Sequence, residues 1–108
     1  MSLSRNLYFH PEKSGMTVVS SIDWSTENYE FDLTVVWFKD GTYMYGEDAG
    51  CSCPEEFGDH VLESLIPIRT KQDKARFKEH LHSRSRNAAY DSSVYAERIV
   101  GMLSRIEL

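Results

Sequence analysis

The clearest pattern in the chain runs from Tyr29 to Lys39, where Tyr29, Phe31, Leu33, Val35 and Trp37 alternate with Glu30, Asp32 and Thr34. A period of two is that of a strand, whose successive side chains point to opposite faces, so this segment reads as the best-defined strand of the fold. Asp40-Gly41 follows it, a dipeptide that tolerates the positive φ of a type I′ turn, and Thr42 to Glu47 is expected to return antiparallel. Upstream, Thr17 to Trp24 is rich in β-branched residues and follows the turn signal Pro11 to Gly15. It reads as a strand joined to the next through the polar turn Ser25 to Asn28. Asn6 to Phe9 is a candidate for a short edge strand.

After Gly50 the pattern changes. Gly50 to Asp59 reads as a loop, with one helical turn within Glu55 to Leu65 that Pro67 stops. Thr70 with Asp73 forms an Asp-type capping box, and Phe77, Leu81 and the stem of Arg84 share one face of a helix running to about Ser83. Asn87 to Ser92 breaks it. Ser92 or Ser93 caps a second helix, in which Tyr95, Ile99, Met102, Leu103 and Ile106 follow the 3.6-residue period and Gly101 lies opposite.

The expected fold is α+β: an antiparallel meander of three or four strands with two C-terminal helices packed on one face. The helix stripes match the face of Phe31, Leu33, Val35 and Trp37 in size, so the helices are expected there. Val36 and Phe38 then stand on the other face without an assigned cover, and an uncovered apolar patch commonly marks an interface. The competing expectation is that the N-terminal segment and the cysteine loop fold over that face.

Composition narrows the class. At 108 residues the chain has room for one core, spanning 1–108 as a single domain, and Met1, Ser2 and Leu3 are given no structural weight. With 41% hydrophobic and 27% charged residues it is globular rather than disordered. No apolar run reaches the length of a membrane span, the N-terminus lacks the basic-then-apolar order of a signal peptide, and two cysteines do not staple a secreted module. A cytoplasmic location is therefore expected. Residues 1–60 carry 3 Lys or Arg against 11 Asp or Glu, while residues 61–108 carry 9 against 6. The sheet half is acidic and the helical half basic.

Candidate chemistry centres on Cys51 and Cys53. Two thiolates this close can ligate one soft cation, with His60, or else His10, His80 or His82, completing an N/S set. Zinc ligands usually come as two C-x2-4-C pairs, and a disulfide between i and i+2 closes a strained ring. The preferred reading is a turn in which small cysteine side chains pack beneath the loop and Pro54 stiffens it, so no metal and no cofactor are expected. Asp23, Asp32, Asp48 and Asp59 are not brought together by any spacing, and there is no phosphate loop, G-x-S-x-G or H-E-x-x-H motif, so no enzymatic role is expected.

Lys71, Lys74, Lys78 and His82 are spaced by three, four and four and share one flank of the first helix. Such a strip can track a phosphate backbone, making nucleic-acid binding an alternative. The acidic sheet and the absence of interleaved base-reading side chains favour a solvated face instead.

Four segments carry a resemblance: Tyr8-Phe9-His10-Pro11-Glu12, Ile22-Asp23-Trp24-Ser25, Tyr29 to Trp37, and Gly50-Cys51-Ser52-Cys53-Pro54 with Phe57 beyond it. Through them the chain resembles small proteins encoded by bacteriophages of actinobacteria, most densely from Tyr8 to Phe57. The resemblance implies a phage-encoded protein acting in a bacterial cytoplasm, and it implies no reaction. The resulting expectation is a non-enzymatic interaction protein that engages a host protein, or a second copy of itself as a homodimer, through Val36, Phe38, Cys51, Cys53 and Pro54.

Overall fold

The computed structural model describes residues 6–25, 30–51, 57, 60–87 and 92–108. Four strands form one antiparallel sheet in chain order: β1 (Thr17–Asp23), β2 (Glu30–Lys39), β3 (Thr42–Cys51) and β4 (Ile66–Ile68). Two helices follow, α1 (Lys71–Arg86) and α2 (Ser92–Ser104). The α+β meander expected from the sequence is the observed fold.

The hairpin between β2 and β3 forms at Asp40 and Gly41, with φ of 50° and 80°, the pair of left-handed residues a type I′ turn needs. It fixes the register Phe38↔Tyr43, Val36↔Tyr45 and Thr34↔Glu47. β1 pairs with β2 through Ser20↔Val36 and Ile22↔Thr34, with a bulge at Val19. α1 starts as expected: Thr70 Oγ1 accepts from the Asp73 amide at 3.0 Å, and Asp73 accepts from the amides of Arg69 and Thr70 at 2.9 and 3.2 Å.

Four boundaries differ from the expectation, the first being the end of β3, which runs to Cys51 rather than Glu47 and so into the segment expected as a loop. The fourth strand is Ile66–Ile68 rather than Asn6 to Phe9, and it carries Pro67, read as a stop, opposite Met44. Proline is tolerated there because an edge strand leaves one row of N–H groups unused. Asn6 to Phe9 is a turn, because the Asn6 carboxamide oxygen accepts from the amides of Tyr8 and Phe9 and competes with strand pairing. The helical turn ahead of Pro67 is a short 3₁₀ segment, Leu62–Ser64, and α1 runs to Arg86 rather than Ser83.

The largest correction concerns which face the helices cover. They pack on the face of Val36: Ile22, Trp24, Val36 and Ile68 of the sheet side meet Phe77, Leu81, Tyr95, Ile99, Met102 and Ile106. The face of Phe31, Leu33, Val35 and Trp37 is covered by Leu7, Met16, Phe57 and Leu65 from the N-terminal segment and the connection after β3. Val36, expected without cover, is 0% exposed.

The physical reason lies in α1, whose inner face is itself mixed. Phe77 and Leu81 are apolar, while His80 and Arg84 beside them are polar. That surface matches a sheet face apolar at Val36 and polar at Thr34 and Asp32, and an all-apolar face would have left His80 and Arg84 unpaired. Burying Phe77 and Leu81 there contributes about 1.5–3 kcal/mol each. On the opposite face the Trp37 indole donates to the Leu7 carbonyl at 2.8 Å, which ties the N-terminal segment down.

Candidate functional site

Among the described residues, two places outside the apolar cores on the helix-covered side of the sheet gather side chains able to do chemistry or recognition. The first is a polar cluster between α1 and the sheet. Thr34, one residue pair from Val36, accepts from the buried Trp24 indole at 2.8 Å and donates to Glu47 Oε2 at 2.5 Å. His80 Nε2 lies 2.7 Å from Glu47 Oε1. Arg84, one helical turn further, sets Nη2 at 2.6 Å from Asp32 Oδ2 and Nη1 at 3.4 Å from Glu47 Oε2. Its guanidinium lies 5.3 Å from the Trp24 ring centre, in cation–π range.

A histidine held by a carboxylate is half of a general-base pair. Here each charged group is matched within the cluster: Glu47 serves Thr34, His80 and Arg84, and Asp32 serves Arg84. The arrangement works as a clamp that fastens α1 to β2 and β3. Tyr45, whose ring packs 4.3 Å from Phe77, has its phenol pKa raised by burial and by the Glu47 charge, so it stays neutral across the ordinary range.

The second place is a groove of about 500 Å³ at the hairpin end of the sheet, past the end of α2. Thr17 and Val18 of β1 form one side, and Arg105 and Glu107 the other. The floor is the ring pair Phe38 and Tyr43, with centres 4.8 Å apart. Phe38 is 36% exposed, the one residue of the apolar run Val35 to Phe38 that reaches solvent. Arg105 leans on the β1 edge, Nη1 donating to the Val19 carbonyl at 3.4 Å.

Of the residues singled out in the sequence, Phe38 is in this groove and Val36 is buried beneath the helices, where it can contact no partner. Cys53 and Pro54 lie outside the described residues, and Cys51 ends β3. His60 is half-buried, its Nε2 3.0 Å from the Glu47 carbonyl oxygen and its ring 4.7 Å from that of Phe57. Among the described residues no group of three or more His, Cys, Asp and Glu side chains can hold a metal ion.

Lys71 and Lys78 are exposed, but Lys74 is not part of a free strip: its Nζ donates to the Ile106 carbonyl at 2.6 Å and closes the end of α2. No helix among the described residues is long and apolar enough to cross a membrane. Sequence reasoning missed the clamp. Its available signal was the pairing of polar Asp32 and Thr34 with apolar Val36 on one strand face, which a uniformly solvated face does not produce.

Comparison with known proteins gives one family match: the model described as "Domain of unknown function (DUF7574)" covers residues 5–106. No curated protein and no solved structure matches the chain.

Proposed function

The chain belongs to the DUF7574 family of domains of unknown function, and we propose that it is a non-enzymatic protein-interaction module whose partner seats an apolar side chain in the Phe38 groove. The observation that carries this reading is the exposed Phe38–Tyr43 floor, in a molecule that covers both faces of its sheet internally. Aromatic side chains on a concave surface, with an arginine at the rim, are the usual anchors of protein interfaces. The polar cluster supports the same reading from the other side, because its His80, Glu47, Asp32 and Arg84 serve the clamp.

Nucleic-acid recognition has less support, since Lys74 is drawn onto Ile106 and two exposed lysines, Lys71 and Lys78, remain of the strip. The resemblance to actinobacteriophage proteins implies a partner in a bacterial cytoplasm, so an actinobacterial lysate is the material to search. Replacing Phe38 by a photoreactive benzoylphenylalanine and irradiating in that lysate tests the reading. One discrete adduct, absent when the photoreactive residue stands at exposed Lys78 instead, supports it. No adduct, or the same adducts from both positions, overturns it.

A further inference from the structure

We infer that the far face of the β2–β3 hairpin holds a binding site for a small apolar monocarboxylate, a free acid whose tail is the size of one aliphatic side chain. This site is separate from the Phe38 groove and does not rest on it. Strand alternation turns Phe38 and Tyr43 toward the helix side, and it turns Lys39, Thr42 and Met44 the other way. Pro67 of β4 continues that row opposite Met44, and Arg69 follows just past the strand's end. Leu62 and Leu65 cover Met44 from above, but the cover stops short of the turn. There a pocket of about 280 Å³ opens.

Its lining divides by chemistry. Met44, Leu62, Leu65 and Pro67 are apolar, while Lys39, Asp40, Thr42 and Arg69 bring charge and a hydroxyl. Among the described residues the Lys39 ammonium and the Arg69 guanidinium have no hydrogen-bond or ion-pair partner, unlike Arg84 and Arg76, which pair with Asp32 and Asp73. Asp73 lies near Arg69 in sequence, but its carboxylate takes the Arg69 amide at 2.9 Å and faces Arg76. Lys39 is half-buried and its stem rests beside Gly15, where a Cβ would stand 3.7 Å from Lys39 Cε. The two cations therefore bracket the pocket, Lys39 on the β1 side and Arg69 on the β4 side.

Charge and size choose the ligand. Lys39 and Arg69 against Asp40 leave one positive charge around the pocket, which a monoanion neutralises. A phosphate monoester, with nearly two negative charges, would leave an excess beside Asp40. The planar fork of Arg69 matches a carboxylate through two parallel hydrogen bonds, a geometry that a lone ammonium does not offer. The Thr42 hydroxyl is a further donor on the same row, and the apolar wall takes the tail out of water. The volume lies just under the roughly 300 Å³ at which sites for drug-sized ligands begin, so a nucleotide is too large.

A heteronuclear NMR titration of the full chain with isocaproate tests the site, beside isocaproamide, which keeps the shape without the charge, and acetate, which keeps the charge without the tail. The expected result is saturable shifts at the Thr42, Met44 and Arg69 amides with isocaproate, and affinities about tenfold weaker or more for both comparison compounds, as loss of a charge-assisted hydrogen bond or of a buried tail implies. Arg69→Gln is expected to weaken isocaproate by a similar factor. Lys78→Gln, which removes the same charge from an exposed position on α1, is expected to leave it unchanged. No saturable shift, equal binding of the amide or of acetate, or an equal loss in Lys78→Gln overturns the inference. Shifts centred on Phe38 and Tyr43 overturn it too and assign the acid to the groove, and an acetylated peptide ending in leucine that binds far more tightly than isocaproate replaces the free acid with a chain terminus. Should Arg69→Gln fail to fold, the three ligands on the wild type decide alone.

Discussion

Arg84 reaches Asp32 at 2.6 Å across the boundary between α1 and β2, while its guanidinium plane covers the Trp24 ring. This one side chain joins three elements, and it explains why a strand face with apolar Val36 at its middle also carries a carboxylate. Arg84→Ala leaves Asp32 without its cation and uncovers Trp24. The pair is partly exposed, so the expected loss is modest, about 1–2 kcal/mol, read as a lower urea midpoint at unchanged slope.

Thr34 is the buried end of the same cluster. Thr34→Val keeps the shape and removes the acceptor of the Trp24 indole, leaving a buried N–H unpaired at a cost of about 1–3 kcal/mol. Urea unfolding of Thr34→Val beside Thr34→Ser separates the two contributions. The serine variant keeps the hydroxyl and is expected to lose less.

Acid weakens the start of α1. The Asp73 carboxyl is held below its ordinary value of 3.8 by the Arg69 amide first, and by Thr70 and Arg76. A carboxylate with a depressed folded pKa contributes stability that is fully present above its unfolded value and is lost as pH falls through the folded one. The difference in stability between wild type and Asp73→Asn is therefore constant near neutrality and shrinks below about pH 4, in the titration range of an ordinary Asp. Tyr45 acts at the other end of the scale, since its raised pKa means stability is lost as pH climbs past its ordinary 10.0. Urea midpoints across both ranges check the two signs.

Gly46 sits where two side chains close over β3. A Cβ there meets Leu65 Cδ2 at 2.6 Å and Trp37 Cζ3 at 3.3 Å. Gly46→Ala is expected to cost about 1–3 kcal/mol by overpacking. Leu65→Ala in the same chain is expected to relieve part of that cost, so the double mutant is more stable than the sum of the two singles.

The lysines of α1 divide by what they touch. Lys71→Glu and Lys78→Glu are expected to stay within about 0.5 kcal/mol of wild type, as surface changes do. Lys74→Glu costs more, about 1 kcal/mol, because it removes the donor to Ile106. Thermal unfolding of the three single mutants reads this order.

The meander, the Asp40-Gly41 hairpin and the Thr70-Asp73 cap were legible in the sequence because each is a local matter of period, turn chemistry or capping. The choice of helix-covered face was not. Alternation gave two apolar sets on β2, and size alone favoured the aromatic set of Phe31 and Trp37. What decided it was the long-range match of His80 and Arg84 to Glu47 and Asp32, which strand periodicity does not reveal. Pro67 misled for a related reason: it ends helices, but at a sheet edge its missing N–H costs nothing. Phe38 was legible as a surface residue, although the neighbour it was grouped with, Val36, faces the same way and is buried by the helices that stop short of Phe38.

That division between Val36 and Phe38 gives the most direct test of the proposed groove. Phe38→Asp and Val36→Asp are compared for thermal unfolding and for retention of the partner that the photoreactive residue at position 38 identifies. The expected result is that Phe38→Asp melts within a few degrees of wild type, as roughly 1 kcal/mol or less of surface change implies, and no longer retains the partner, while Val36→Asp does not fold. A folded Phe38→Asp that retains the partner as well as wild type would contradict the groove as the docking site, and an unfolded one would place Phe38 in the core.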